Sequence, residues 1–173
     1  MASYYYLISS LPMLRTQGEP PMDYATFLSQ CRSAVSEGTY KTLEELTVRS
    51  GKGPLLSEWG EFYQSLSREL TYQRSVKLGR ACPVPSDRDS GIVQAVTAAV
   101  NAENPLEGES LLLDLELRRL DDMIGLHNFD EYALYGYAMK LQLLERQRTF
   151  RYDRGKQAFD GLMDNIRQQI SSL

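Results

Sequence analysis

Apolar residues recur along most of this chain at alternating spacings of three and four positions. One clear run lies between residues 56 and 70, and its repeated residues are Leu56, Trp59, Tyr63, Leu66 and Leu70. Side chains with this spacing share one face of an α-helix. The pattern therefore predicts a long amphipathic helix that buries one stripe against the rest of the protein.

The segment from residue 104 to residue 125 carries signals for both ends of a helix. Asn104 is suited to cap free backbone N–H groups, and Pro105 fits the first helical position. Glu107 stands three residues after the cap, as in a capping box, and Gly125 is a natural stop. The predicted apolar face comprises Leu106, Leu113, Leu117, Leu120 and Ile124.

A further long helix is predicted in FDEYALYGYAMKLQLLERQ. If Asp130 caps it, Phe129 and Leu134 are placed as a hydrophobic staple. If Asn128 is the cap instead, Glu131 completes a pair that resembles a capping box. Either register gives a stripe at core spacing, formed by Leu134, Tyr137, Ala138, Leu141 and Leu144. This spacing favours packing over a cofactor cage for the aromatic residues.

Shorter helices are predicted elsewhere, separated by loops rich in Gly, Pro, Ser and Asp such as SGKGP and CPVPSDRD. One begins near residue 22 and ends at Gly38, and a brief one surrounds Leu43 and Leu46. A third follows residue 87. YYYLISS is expected to form a short helix that ends before Pro12, because a lone strand would lack a partner. The apolar positions of the first and third are Phe27, Leu28, Cys31 and Val35, and Ile92, Val93, Val96 and Val100.

These segments together predict an all-α fold, an irregular helical bundle of about six or seven helices. The chain of 173 residues, 42% of them hydrophobic, fits one helical domain spanning residues 1–173 with a real core. The residues expected to be substantially buried are Trp59, Leu66, Leu113, Leu120, Leu141 and Ile166.

Composition and targeting signals limit the possible partners and cellular location of the protein. The net charge of -4 argues against a surface that grips nucleic acid as a whole. The N-terminus lacks the basic region and cleavage site of a signal peptide, and no segment is apolar enough to span a membrane. Cys31 and Cys82 have no spacing partner, which indicates buried free thiols in a reducing compartment. A cytoplasmic location is therefore expected.

Candidate chemistry is sparse. His127 is the only histidine, which excludes HExxH, and Ile124 stands three residues before it, which excludes a Glu-x-x-His metal motif. A catalytic role would need an orienting partner, which Asp121, Asp122 or Asp130 could supply, but a loop or cap role is favoured. SGKGPLLS lacks the spacing of a phosphate-binding P-loop. The acidic group Glu103, Glu107, Glu109, Asp114 and Glu116 is interpreted as a solvated face. We expect no catalytic residue, no metal and no cofactor.

A basic run near the C-terminus is least explained by packing. Between residues 140 and 156 six basic residues stand against two acidic ones, a net charge of +4 in an acidic chain. The run is either a solvated helix end, a contact patch for an acidic partner, or an RNA-binding patch without a recognised motif. The candidate partner contacts, expected to face solvent, are Arg146, Arg148, Arg151, Arg154 and Lys156.

Several segments carry a family resemblance. YYYLISSLPML, EPPMDYATFLSQC and the stretch from NPLEGESLLL to LQLLERQ resemble a small bacterial family whose genes stand beside those of V-type ATPase subunits. FDEYALYGYAMKL is also distantly similar to the helical repeats of the C-subunit family of V/A-type ATPases, which corresponds to the d-subunit family of eukaryotes. Members of that family are all-helical, non-catalytic sockets between the central stalk and the membrane ring. The chain is about half the length expected of such a socket, so at least one pseudo-repeat is missing.

The resemblance implies a non-catalytic subunit or assembly partner of a V-type ATPase, such as a shortened central-stalk component similar to the C-subunit family. Its partners would be V-type ATPase subunits of the central stalk or membrane ring, with no nucleic acid and no direct membrane insertion. It would be cytoplasmic and peripheral to the inner membrane through the complex. The alternatives are a free-standing helical adaptor and an enzyme with a site near His127.

Overall fold

The computed structural model describes residues 4–15, 19–148, 155 and 159–163. Seven helices lie between residues 4 and 148, and residues 159–163 are helical as well. The helices are α1 (Tyr5–Ser10), α2 (Tyr24–Cys31), α3 (Glu37–Glu44), α4 (Leu56–Lys77), α5 (Ser90–Asn101), α6 (Pro105–Ile124) and α7 (Glu131–Arg148). No strand occurs in these ranges, and the predicted all-α architecture is confirmed.

Helix α7 is buried around its whole circumference rather than along one stripe. Successive residues of a helix are about 100° apart, so Leu134, Met139 and Leu144 point in well-separated directions, yet all three are buried. α6 packs along this helix, and α2 contacts it as well. A helix that is apolar on every side belongs in the interior of a fold. The single stripe predicted from the sequence was therefore too narrow.

Helices α4, α5 and α6 pack in series beside it. α5 and α6 form an αα-hairpin joined by residues 102–104. A β-carbon added at Gly108 would lie 2.6 Å from the carbonyl oxygen of Ala99, so the hairpin closes because residue 108 has no side chain. Asn104 caps α6 by accepting hydrogen bonds from the amides of Leu106 and Glu107. The predicted start of α6 is confirmed.

The core contains most of the residues expected there. Trp59, Leu66, Leu113, Leu120 and Leu141 are all buried, as predicted, whereas Ile166 lies outside the described residues. Leu106 was assigned to the apolar face of α6 but is exposed. It lies in the first helical turn, where Gly108 and not Leu106 makes the close contact with α5.

The boundaries of the short helices differ from the prediction in two places. The helix expected to end at Gly38 ends at Cys31, and α3 begins at Glu37. The physical reason is Ser36, whose side chain accepts a hydrogen bond from the Thr39 amide and starts a new helix. The brief helix expected around Leu43 and Leu46 includes only Leu43, because α3 ends at Glu44, although both leucines are buried. α1 ends before Pro12 as expected.

The two cysteines have different environments. Both are free thiols, but only Cys31 is buried, where desolvation raises its pKa to about 12. Cys82 is half-buried, so the expectation of two buried thiols was wrong for this residue. Among the helices of the described ranges, none is both long and apolar enough to cross a membrane.

Candidate functional site

Two of the three described residues of the basic run are paired with carboxylates of α6, and the third, Arg148, is partly buried. Lys140 binds Asp121 of α6, and Arg146 binds Glu116 of the same helix. A hydrogen bond from Thr26 and the nearby Arg148 guanidinium lower the pKa of the Asp23 carboxyl at the start of α2. The net charge counted over residues 140–156 leaves these carboxylates out, because they lie earlier in the sequence. Arg151, Arg154 and Lys156 lie outside the described residues.

The pair of Arg146 and Glu116 corrects two expectations. Arg146 was expected to face solvent, but both of its terminal nitrogens donate to Glu116, one of them over 3.2 Å. Glu116 was assigned to a solvated acidic face, yet it is only 2% exposed. Burial raises the pKa of its carboxyl, and the guanidinium offsets part of that effect. The sequence contained a signal, because Glu116 stands at helical spacing from Leu113 and Leu120 in the apolar stripe.

A second buried carboxylate, Glu69 of α4, was not singled out from the sequence. It accepts hydrogen bonds from the Arg88 Nε over 2.9 Å and Nη2 over 2.6 Å, and a third from Gln73 over 2.8 Å. Arg88 also lies over the ring of Tyr72, 5.2 Å from its centroid. These contacts fix the loop before α5 to α4, so the acid and the base have a structural role in joining two elements.

His127 belongs to a helix cap. Its Nδ1 is hydrogen bonded to one carboxylate oxygen of Asp130, while the other oxygen accepts from the Ala133 amide over 3.1 Å. The ring stacks on Tyr132 with the centroids 4.3 Å apart. The register with Asp130 as cap is thus the one adopted. Burial raises the pKa of Asp130, but the hydrogen bonds outweigh it and the net pKa is lowered.

The hollows on the surface of the described residues include three with volumes of about 260, 630 and 440 Å³. His127 lines none of these three. The hollow of about 630 Å³ lies between the end of α4 and the α5–α6 hairpin, and we term it the hairpin groove. Within the described ranges, no three His, Cys, Asp or Glu side chains are grouped so that they would hold a metal ion.

An exposed aromatic surface is formed by residues from two distant parts of the sequence. It consists of Tyr5 and Tyr6 of α1 and Phe129, which precedes α7. The Tyr5 ring lies 4.6 Å from that of Phe129 and 5.6 Å from that of Tyr6, between centroids. Tyr6 is 88% exposed, and Leu126, in the same loop as Phe129, is almost fully exposed. The sequence hinted at this surface, since three tyrosines in a row cannot all face one core.

The aromatic surface is held by the backbone as well as by its rings. The Tyr4 amide donates to the Phe129 carbonyl over 3.2 Å, which ties the start of α1 to the loop before α7. The Tyr4 side chain is buried and also donates to Glu131. This arrangement fits protein contact better than chemistry. No protein-family model matches the chain, and no curated protein or solved structure is detectably similar to it.

Proposed function

We propose that the protein is a non-catalytic subunit or assembly partner of a V-type ATPase, and that it binds another subunit of the complex through the aromatic surface. The observation that carries the proposal is the exposure of Tyr5, Tyr6 and Phe129 as one group. The resemblance of the sequence to the family encoded beside V-type ATPase genes supplies the partner. In this proposal the protein sits on the cytoplasmic face of the complex, as a shortened component similar to the C-subunit family.

Exposed aromatic rings favour contact with other proteins. Tyrosine and phenylalanine are enriched at interfaces, because they bury a large area with few rotatable bonds. Contiguous exposed apolar groups of this kind mark contact sites more often than isolated ones. Here the ring of Tyr5 already rests against Phe129, and the backbone hydrogen bond of Tyr4 fixes their separation. Binding would therefore require little rearrangement of these residues.

The basic run has a secondary place in this proposal. Lys140 and Arg146 each bind a carboxylate within the chain, so their charges are largely matched before any partner arrives. Arg148, Arg151, Arg154 and Lys156 remain proposed rim contacts to acidic protein surfaces. Rim charges mainly tune the encounter rate and the register of a complex. We accordingly assign the main affinity to the aromatic surface.

The test is purification of tagged protein from native membranes, with identification of the co-purifying proteins. Wild-type protein should retain V-type ATPase subunits, and Tyr6→Ala should lose most of them, because Tyr6 contributes its ring to a contact and not to the core. Met13→Ala is the matched control, since Met13 is 79% exposed and lies outside the aromatic surface.

The outcomes separate the parts of the proposal. If wild-type protein retains no ATPase subunit, the assignment is wrong, and a free-standing helical adaptor with other partners is supported instead. If wild-type protein and Tyr6→Ala retain the same subunits equally, the assignment stands and the aromatic surface is not the contact. Circular dichroism of both variants should match the wild type, since neither side chain is buried.

A further inference from the structure

The hairpin groove carries charges of both signs on facing walls. Arg74 and Lys77 of α4 line one wall, and Glu103 and Glu109 of the α5–α6 hairpin line the other. Its apolar lining includes Leu70, Ala99, Val100 and Leu112. Arg74 and Glu109 approach each other to only 3.9 Å, and both are partly exposed. An ion pair of this length and exposure is weak, so each charge can still be attracted to an outside partner.

An apolar side chain stands at the edge of this groove. Leu78 follows the last residue of α4 and lines the groove, yet it is 66% exposed. It is followed by Gly79, whose φ of +67° turns the chain away from the helix. Leu78 and the hairpin groove therefore form one patch, in which an exposed apolar side chain stands beside an apolar hollow with a cationic and an acidic wall.

We propose that the hairpin groove is the interface of a two-fold symmetric dimer, occupied by a second copy of this chain. In such a dimer the same patch faces itself, and each residue contact occurs twice. Leu78 of one protomer enters the groove of the other, and Arg74 meets the partner's Glu109. A ligand of a single charge sign would be repelled by one wall, whereas the patch is complementary to itself when the two-fold axis runs between its cationic and acidic walls. This inference does not depend on the proposed ATPase association.

Sedimentation equilibrium of the purified full chain, from micromolar to millimolar concentration, tests the dimer and its apolar contact. Leu78→Asp should raise the dimer dissociation constant about 30-fold or more, as expected for a central apolar anchor. Val76→Asp is the matched control, because Val76 is 53% exposed and lies about 200° from Leu78 around the same helix. It should leave the constant unchanged.

Charge complementation tests the two-fold arrangement. Arg74→Glu alone and Glu109→Arg alone should each be monomeric, because every dimer of either would bring like charges together twice. An equimolar mixture of the two variants should form a heterodimer, since residue 74 of one then opposes residue 109 of the other with opposite charge in both contacts. The variant that carries both substitutions should form a homodimer again.

Three results would overturn the proposal. The first is wild-type protein that stays monomeric at millimolar concentration. The second is a dimer that Leu78→Asp leaves as tight as the wild type, because another surface then holds it. The third is a mixture of the two charge variants that does not associate, which would leave the groove to a partner of another kind. Circular dichroism of each variant confirms that the helices are retained.

Discussion

Arg146 and Glu116 form an ion pair between α7 and α6 in which the carboxylate is buried and the guanidinium is partly exposed. Two hydrogen bonds in parallel hold the planar guanidinium against the carboxylate. Such a pair adds little stability compared with apolar residues of the same volume, but losing one partner leaves an uncompensated charge in the core. This asymmetry determines how substitutions at the two positions should behave.

We expect Arg146→Met to lower the free energy of unfolding by about 3 kcal/mol, because it leaves the buried Glu116 carboxylate without its cation. The double variant Glu116→Met with Arg146→Met should be close to wild type, since no buried charge remains. Urea unfolding measures both. As a control, Lys41→Met breaks the exposed pair with Glu45 and should change the free energy by less than about 0.5 kcal/mol. Equal losses in the single and double variants would contradict the argument.

The Glu69 and Arg88 pair predicts how stability depends on pH. The Arg88 hydrogen bond lowers the pKa of Glu69 below its ordinary value of 4.5. A carboxyl whose pKa is lower in the folded state contributes stability that is present above its unfolded pKa and is lost as the pH falls through the folded value. The contribution of Glu69 to wild-type stability should therefore be constant from neutral pH down to the ordinary carboxyl range and decline below it.

Removing the base should reverse that dependence. In Arg88→Met, burial without a cation raises the pKa of Glu69 above its unfolded value. The folded state then binds the extra proton, so the free energy of unfolding relative to wild type should rise as the pH is lowered from neutral toward the ordinary carboxyl range. Adding Glu69→Gln to this variant should abolish that rise in the free energy of unfolding at lower pH, because residue 69 then has no group to protonate. Urea unfolding at a series of pH values distinguishes the three proteins, and identical slopes would show that Glu69 is not the titrating group.

The cap of α7 predicts separate effects for its two polar residues. Asp130→Ala should cost about 1 kcal/mol, because the Ala133 amide loses its acceptor at the helix start. His127→Ala should cost less than about 0.5 kcal/mol, since the pair with Asp130 is exposed, and it should leave ATPase subunit retention unchanged. Thermal unfolding and the membrane purification measure these effects. Loss of retention in a folded His127→Ala protein would favour the enzyme alternative.

The close approach of α5 and α6 makes residue 108 intolerant of a side chain. Gly108→Ala should lower the free energy of unfolding by about 1–3 kcal/mol, because the new β-carbon would meet the Ala99 carbonyl oxygen at 2.6 Å. Gly38→Ala is the matched control in α3, where a β-carbon meets no atom within 4 Å. It should stabilise the protein by about 0.5–1 kcal/mol through the entropy of the unfolded chain. A stabilised Gly108→Ala protein would refute the close packing.

The helices were predictable because periodicity and caps are local properties of a sequence. Asn104, Pro105 and Gly125 marked the limits of α6 correctly, since each acts on backbone within its own turn. The break at Ser36 was missed, although a serine three residues before Thr39 is a local signal as well. The apolar spacing there runs through the turn between two helices, and it outweighed the cap in the prediction.

The partners of charged residues were not predictable in the same way. Helical spacing places Glu116 and Glu69 among apolar neighbours, but it does not tell which distant base reaches them. Arg146 is 30 positions from Glu116, and Arg88 is 19 from Glu69. A buried carboxylate can therefore be suspected from the sequence, whereas its compensation depends on how the helices pack. For the same reason the sequence made Lys140 and Arg146 seem free to bind a partner, although both pair with carboxylates of α6.

Because α7 is surrounded by other helices and is made after them, the surfaces that contact it stay uncovered for part of synthesis. The ribosome releases α1 to α6 before it releases α7, so for that interval the faces of α6 and α2 that contact α7 have no covering helix. At about 5–20 residues per second, the 18 residues of α7 take about 1–4 s to synthesise. Nascent chains halted before residue 131 should thus engage holdase chaperones, and chains that have released residue 148 should let them go.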